Sequence, residues 1–268
     1  MRFDLEGNFL PETTYSTLSS ALKDMERAVL PGFYGANDRG EIMTFSRGGG
    51  DISGAIVARA VKADLYENWT DVSGFLVCDP RIVENPAKID ALTFEELQEL
   101  ARMGASVLHT ESIFPVREAE IPIKIKNTFR PQDEGTLIIP SSKYKGGCPV
   151  TGITGKKNYR IAEASAQNFT FHRDGWELIS AEPETVKIVF QEKAEGKRLE
   201  TIALIAIVGQ GIWQSVGAIS RIFKAIAQAG VSVKLIHGAN ERKLLVGVEN
   251  EDYERTIRAV YDEFYKDW

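Results

Sequence analysis

The sequence predicts an α/β fold with a mostly parallel sheet, followed by a ferredoxin-like α+β region, on three observations. Helical and strand-like periods alternate from Pro11 to about Ile139. The composition then turns Pro/Gly/Ser-rich over PSSKYKGGCPVTG, Pro140 to Gly152, which marks a domain boundary. From Ile202 onward the pattern is β-α-β-β-α, one strand short of a βαββαβ unit. The missing strand must come from earlier in the sequence or from a neighbouring chain.

The elements follow in order. Apolar residues Leu18, Ala21, Leu22 and Met25 at helical spacing predict a helix over Pro11–Glu26, with Thr13 or Thr14 as cap. ERAVLPGF, Glu26 to Phe33, reads as a short buried strand ended by Pro31-Gly32, and GANDRGE before EIMTF as a hairpin or tight loop. Asp51 opens a helix to about Ala63, and its side chain is placed to cap first-turn amides. LYENW is strand-like, and Thr93 with Glu96 forms a capping box for TFEELQELARMG, ended by Gly104. SIFPVREAEIP supplies a helix-like turn and IKIKNT an alternating strand.

Beyond the boundary, NYRIAEASAQNFTFHRDGWELISAEPETVKIVF reads as short strands around a turn at Asp174-Gly175. TIALIAIVG is a strand and WQSVGAISRIFKAIAQAG one amphipathic helix, with Trp213, Phe223, Ile226, Val233 and Leu235 in the core. VSVKLIHGA and KLLVGVEN are strands, and DYERTIRAVYDEFY a helix whose acidic side faces solvent.

Composition narrows the function classes. The formal charge of −6, with no Lys/Arg stripe, argues against a nucleic-acid partner. Cys78 and Cys148 are too few for a disulfide framework or a metal cluster, and a reducing cytoplasm is the expected location. The three histidines, His109, His172 and His237, lack metal-ligand spacing. The N-terminus has no signal-peptide pattern, and no run reaches the roughly 18 apolar residues of a membrane span.

FSRGGGD, Phe45 to Asp51, is the richest chemical signal. A glycine-rich turn entering a helix presents free backbone amides at the positive end of the helix dipole, a ready site for phosphate or carboxylate. Arg47 adds a bidentate partner for either anion, and Asp51 suits a polar role beside transferring phosphate. The same glycines also serve as a plain strand-to-helix connection, and the pattern alone does not separate the two readings. Downstream, WTD and CDPR place Thr70, Asp71, Asp79 and Arg81 just past a strand, where open α/β sheets bind ligands; local turn bonds are the alternative.

Taken together, FSRGGGD, YENWTDVSGFLVCDPRIV, KIDALTFEELQELARMGASVLH, IPIKIKNT with EGTLI, and GANERKLLVGVENEDYERTIRAVYDEF resemble aspartate kinase of the monofunctional, ACT-containing kind. The resemblance implies part of an amino-acid-kinase domain (an αβα sandwich) over 1–140, a linker with a degenerate first ACT unit over 141–200, and an ACT domain over 201–268. It implies ATP-dependent phosphorylation of the L-aspartate side-chain carboxylate, the first step of lysine, threonine and methionine biosynthesis, with Mg²⁺ accompanying ATP. Arg47, Gly48, Gly49 and Gly50 correspond to the aspartate-binding turn and Asp51 to the catalytic position. Thr70, Asp71, Asp79 and Arg81 correspond to nucleotide contacts. Gly209, Gln210, Gly211 and Ile212 correspond to the loop where ACT domains bind amino-acid effectors, here lysine or threonine; easing a tight turn is the plainer role for its glycines.

The chain departs from the family pattern at several places. Gly50 replaces the usual serine, losing a hydroxyl contact worth of order 1 kcal/mol. Leu76 stands where many relatives have tyrosine, and Ser106 where some have lysine. The family's N-terminal Lys-Phe-Gly-Gly strand has no counterpart in this sequence, so unaided phosphoryl transfer is not expected. The alternative expectation is a non-catalytic regulatory or assembly subunit, a homo-oligomer or a partner of a full-length aspartate kinase through its ACT region.

Overall fold

The structure, a computed structural model, describes residues 1–46, 49–105, 108, 110–165, 176–181, 185–190, 201–240 and 242–266. Its contacts form two compact units interleaved along the chain. The first comprises Met1–Phe75, Asp90–Leu97 and Val107–Tyr144, and the second Leu76–Ile89, Gln98–Ser106 and Lys145–Trp268.

In the first unit, helix α1 spans Pro11–Leu22, with proline at its first position, where φ is preset and no amide hydrogen is needed. The threonine cap does not form. Leu10 is the N-cap without a side-chain bond, and Thr14 is buried inside the helix, its Oγ1 accepting from the Arg2 amide at 2.9 Å. Glu26–Phe33 is not a strand, and Val29 is fully exposed. The first strands are instead β1 (Tyr34–Ala36) and β2 (Ile42–Thr44), paired antiparallel as the predicted hairpin. Buried Asn37 closes it, its Oδ1 accepting from the amides of Arg39 and Glu41 at 3.0 Å each. Helix α2 (Gly49–Ala60) packs Ile56 and Ala60 against Phe3, Leu18 and Phe45.

Strands β3 (Tyr66–Thr70), β4 (Ala91–Thr93), β5 (Ile123–Asn127) and β6 (Thr136–Ile139) form a sheet of order β3-β5-β6-β4. The β3–β5 and β4–β6 pairs are parallel and β5–β6 antiparallel, so the sheet is mostly parallel. Ile123, Ile125 and Ile138 are wholly buried, as period-2 alternation requires of a core face. The capping box is present: the Thr93 amide donates to Glu96 Oε2 at 2.8 Å, and the Glu96 amide to Thr93 Oγ1 at 3.2 Å. It starts α3 (Phe94–Arg102); α4 (Phe114–Glu118) precedes β5.

The second unit is built on β10 (Thr201–Val208), buried from Ile202 to Val208. The six-stranded order is β11-β12-β10-β7-β9-β8, with β7 at Gly152–Ser165, β8 at Trp176–Ala181, β9 at Thr185–Phe190, β11 at Val233–Asn240 and β12 at Lys243–Glu249. The strand missing from the β-α-β-β-α pattern is supplied by β7, antiparallel to β10 with Ile207 opposite Ile153. This completes a ferredoxin-like sheet from earlier sequence. The described residues between Asn158 and Phe190 are all strand; Asp174, Gly175 and His172 lie outside the described residues.

The single helix predicted after β10 is broken in two. Short α5 (Gly211–Gln214) is followed by extended Ser215 and by Gly217 at φ +82, and only then does α6 (Ala218–Gln228) begin. Trp213 is not core: it is 46% exposed, lying over Gly238, where a Cβ would approach its ring to 2.6 Å. Ile222, Ala225 and Ile226 of α6, and Ile257, Val260 and Phe264 of α7 (Tyr253–Tyr265), are buried. Behind them, Lys243 on β12 forms a buried ion pair with Glu99 of α3 at 2.9 Å.

Candidate functional site

The site begins where α2 starts. The first four amides of a helix have no acceptor within the helix and lie at its positive end. Gly49, at φ +47, and Gly50 are exposed, and a Cβ built on either meets nothing within 4 Å. Among the described residues, nothing packs where a Cβ at these two positions would stand. Arg47 and Gly48 lie outside the described residues.

Asp51 sits half-buried in the same turn. Among the described residues its carboxylate partner is Asn68 of β3, whose Nδ2 donates to Oδ1 at 2.8 Å, rather than a first-turn amide as the cap predicted. The Tyr66 hydroxyl donates to the Asp51 carbonyl at 3.2 Å and accepts from Asn68 Nδ2 at 3.1 Å. From the other side Ser53 Oγ accepts the Phe33 amide at 2.7 Å, fixing the incoming chain on α2. Tyr66, Asn68 and Thr70 alternate along β3 and share its inward face, as the burial pattern shows. Sequence reasoning missed Tyr66 and Asn68, since the strand pattern alone does not say what an inward Asn would meet.

At the carboxyl ends of the parallel strands β3 and β5, two loops are joined. The Thr128 amide donates to the Thr70 carbonyl at 2.8 Å, and buried Asn127 donates to Ser73 Oγ at 2.9 Å. Thr70 Oγ1 donates to the exposed Asp71 carboxylate at 3.2 Å. Thr70 ends the strand that anchors Asp51, and Asp71 follows it.

Asp79 and Arg81 belong to the second unit. Arg81 grips Asp79 through Nε at 3.0 Å and Nη2 at 2.6 Å, and this guanidinium bond holds the Asp79 carboxyl below the usual carboxylate range. Their loop is tied to α7. Arg258 Nε donates to the Ile82 carbonyl at 2.8 Å, and the Ala87 amide to the Tyr261 hydroxyl at 2.9 Å. Cys78 beside them is buried, its thiol pushed up to about 12 by desolvation first and by the charges of Asp79 and Asp262 next, so it stays protonated.

The loop Gly209–Ile212 is tightly packed at its glycines. A Cβ at Gly209 would stand 2.1 Å from the Pro149 carbonyl oxygen, and one at Gly211 2.8 Å from Pro149 Cα. Ile212 is buried and the Gly209 amide donates to the Arg242 carbonyl at 2.9 Å. Among the described residues no group of three or more His, Cys, Asp or Glu is arranged to hold a metal ion, and no helix is long and apolar enough to cross a membrane. His237 lies in β11, while Ser106 and His109 lie outside the described residues.

Comparison with known proteins completes this picture. Residues 6–127 match the amino acid kinase family and residues 205–264 the ACT domain. The crystal structure of aspartate kinase from Clostridium acetobutylicum is 35% identical, with a TM-score of 0.85 over 98% of this chain and 68% of that one. The chain belongs to the aspartate kinase family. Aspartokinase 3 of Bacillus subtilis (strain 168) is 31% identical over 96% of this chain and 64% of the relative, so the chain spans just under two-thirds of that kinase. E. coli aspartokinase III, solved with aspartate and ADP, shares the aspartate kinase fold at 21% identity and a TM-score of 0.67, over 98% of this chain and 69% of that one.

Proposed function

We propose that this chain serves phosphoryl transfer from ATP to the side-chain carboxylate of L-aspartate. The bond between the γ-phosphorus and its bridging oxygen breaks, a carboxylate oxygen bonds to phosphorus, and an acyl phosphate and ADP result. That carboxylate is already ionised at neutral pH, so the reaction asks for no general base. It asks for anions to be held together and aligned. Arg47 and the amides of Gly48, Gly49 and Gly50 receive the substrate carboxylate at the helix entry. Asp51 organises the reacting end as a fixed oxygen donor. Thr70, Asp71, Asp79 and Arg81 serve the nucleotide. Mg²⁺ carried with ATP would neutralise phosphate charge.

The observation that supports this reading best is Asp51, pinned by Asn68 at the glycine entry to α2. On this reading residues 1–140 are the kinase part, 141–200 a linker with a degenerate first ACT unit, and 201–268 an ACT domain. Lysine or threonine is the proposed effector at Gly209, Gln210, Gly211 and Ile212, and a cytoplasmic setting follows from the substrates. The approach of Pro149 gives Gly209 and Gly211 a packing role in either case.

A second reading is a non-catalytic subunit pairing with a full-length aspartate kinase. The edge strand β11 favours it, since it ends the described sheet and exposes Ile236. One experiment separates the two: hydroxylamine trapping of acyl phosphate from aspartate and MgATP, with the chain alone and mixed with a full-length relative. Turnover by the chain alone supports the first reading, and a change seen only in the mixture supports the second. Silence in both, with no calorimetric binding of aspartate or MgADP, overturns both.

A further inference from the structure

We propose that Asn68 and Tyr66 are positioning residues for Asp51, a role that rests on the kinase reading above. Both hydrogens of the Asn68 carboxamide are used, one on Asp51 Oδ1 at 2.8 Å and the other on the Tyr66 hydroxyl at 3.1 Å. The hydroxyl hydrogen then goes to the Asp51 carbonyl at 3.2 Å. The three groups form a closed ring that fixes the backbone and the carboxylate of Asp51 together. The reverse amide orientation would set the Asn68 oxygen against a carboxylate, so the charge on Asp51 selects the orientation.

The surroundings are built for this ring. Asn68 is buried, and a buried amide without partners is costly. Burial, opposed by the Asn68 hydrogen bond and helped by the Asp51 charge, raises the Tyr66 hydroxyl above its ordinary value, so it remains a donor. Gly54, one turn along α2, leaves room for the ring: a Cβ there would lie 2.7 Å from the Tyr66 hydroxyl and Cε2. Glycine is unfavourable in a helix interior relative to alanine, which marks the close approach of Tyr66 as a feature of the site. A simple strand-to-helix tie would need neither the second amide hydrogen nor the tyrosine hydroxyl. The arrangement matters because phosphoryl transfer depends on alignment, and a carboxylate free to rotate would lose it.

The test puts Asn68→Ala, Asn68→Asp and Tyr66→Phe into the full chain and reads acyl phosphate under the condition, alone or mixed with a full-length relative, in which the wild-type chain adds turnover. Asn68→Ala is expected to lower kcat about tenfold or more while the aspartate KM changes by less than about threefold. Asn68→Asp, equal in size but presenting an acceptor to Asp51, falls further, and Tyr66→Phe loses about threefold. An Asn68→Ala chain that keeps wild-type kcat overturns the proposal, even if it melts earlier. The contact is also read without turnover from the Asn68 side-chain amide resonances, which shift and exchange faster in Asp51→Ala. No such response overturns the positioning role whatever the turnover. A response in a chain that forms no acyl phosphate, alone or with a full-length relative, overturns the kinase reading and with it the catalytic purpose of the contact.

Discussion

The hydroxyl of Tyr261 on α7 accepts the amide hydrogen of Ala87 at 2.9 Å, closing the loop that carries Asp79 and Arg81 onto a helix of the ACT-matching region. The loop is thereby held by two residues 174 positions apart in sequence. Its order depends on chemistry that no local stretch contains.

Tyr261→Phe is expected to release the Ala87 amide and cost about 1 kcal/mol, the typical worth of one such bond. Amide hydrogen exchange checks this: protection at Ala87 falls, while protection in β10 is unchanged. Arg258→Ala acts on the same loop through the Ile82 carbonyl, so the two losses are expected to be non-additive.

Lys243→Met removes the buried cation from Glu99 and leaves the exposed Arg102, at 3.8 Å, as an ion-pair partner. Breaking one half of a buried ion pair costs about 3–5 kcal/mol, whereas replacing both halves by apolar residues is often neutral. Urea unfolding of Lys243→Met and of Lys243→Met with Glu99→Leu is expected to show a large loss in the first and recovery of most of it in the second.

Substitutions at the two glycine clusters are expected to diverge. Gly209→Ala drives a methyl into Pro149 and is expected to cost about 1–3 kcal/mol. Gly50→Ala meets open space in a helix, so its stability changes by no more than about 1 kcal/mol, in the favourable direction. Thermal melts check both. Under the kinase reading Gly50→Ala also weakens aspartate binding, which calorimetry reads separately.

Cys78 and Cys148 are expected to differ in reactivity. At pH 8 a thiol reagent labels half-exposed Cys148 in the folded chain, and labels Cys78 only on unfolding, because the Cys78 thiol is held up to about 12. The folded state keeps the Cys78 proton when the unfolded chain has lost it. This contribution is complete below about pH 8.5, the unfolded value, and drains away as pH rises toward 12. Asp79 has the opposite sign. Its lowered folded value gives stability above the ordinary carboxylate range that is lost as pH falls through it, and exposure keeps the effect small. A pH series of melts with and without Cys78→Ala isolates the alkaline part.

What the sequence made legible was local or strongly periodic. The Thr93–Glu96 box is four residues of self-contained chemistry, and β10 is an unbroken apolar run that reads as a buried strand. Glu26–Phe33 was misread because Val29 and Leu30 are apolar yet have no strand beside them, and a strand exists only when paired. Trp213 shares the spacing of core residues, but the break at Ser215–Gly217 rotates it out over Gly238. At the site, the glycine entry and Asp51 were visible as a motif. Asn68 was not, because its meaning depends on α2 lying across β3, a tertiary fact.

The placement of β7 beside β10 has a practical consequence. A regulatory fragment trimmed to start at Thr201 would leave one flank of β10 bare of its hydrogen-bonding neighbour. Such a piece would be expected to clump or to borrow a strand from another molecule. Any stand-alone expression of this module therefore has to start upstream of Gly152 and keep the intervening stretch attached.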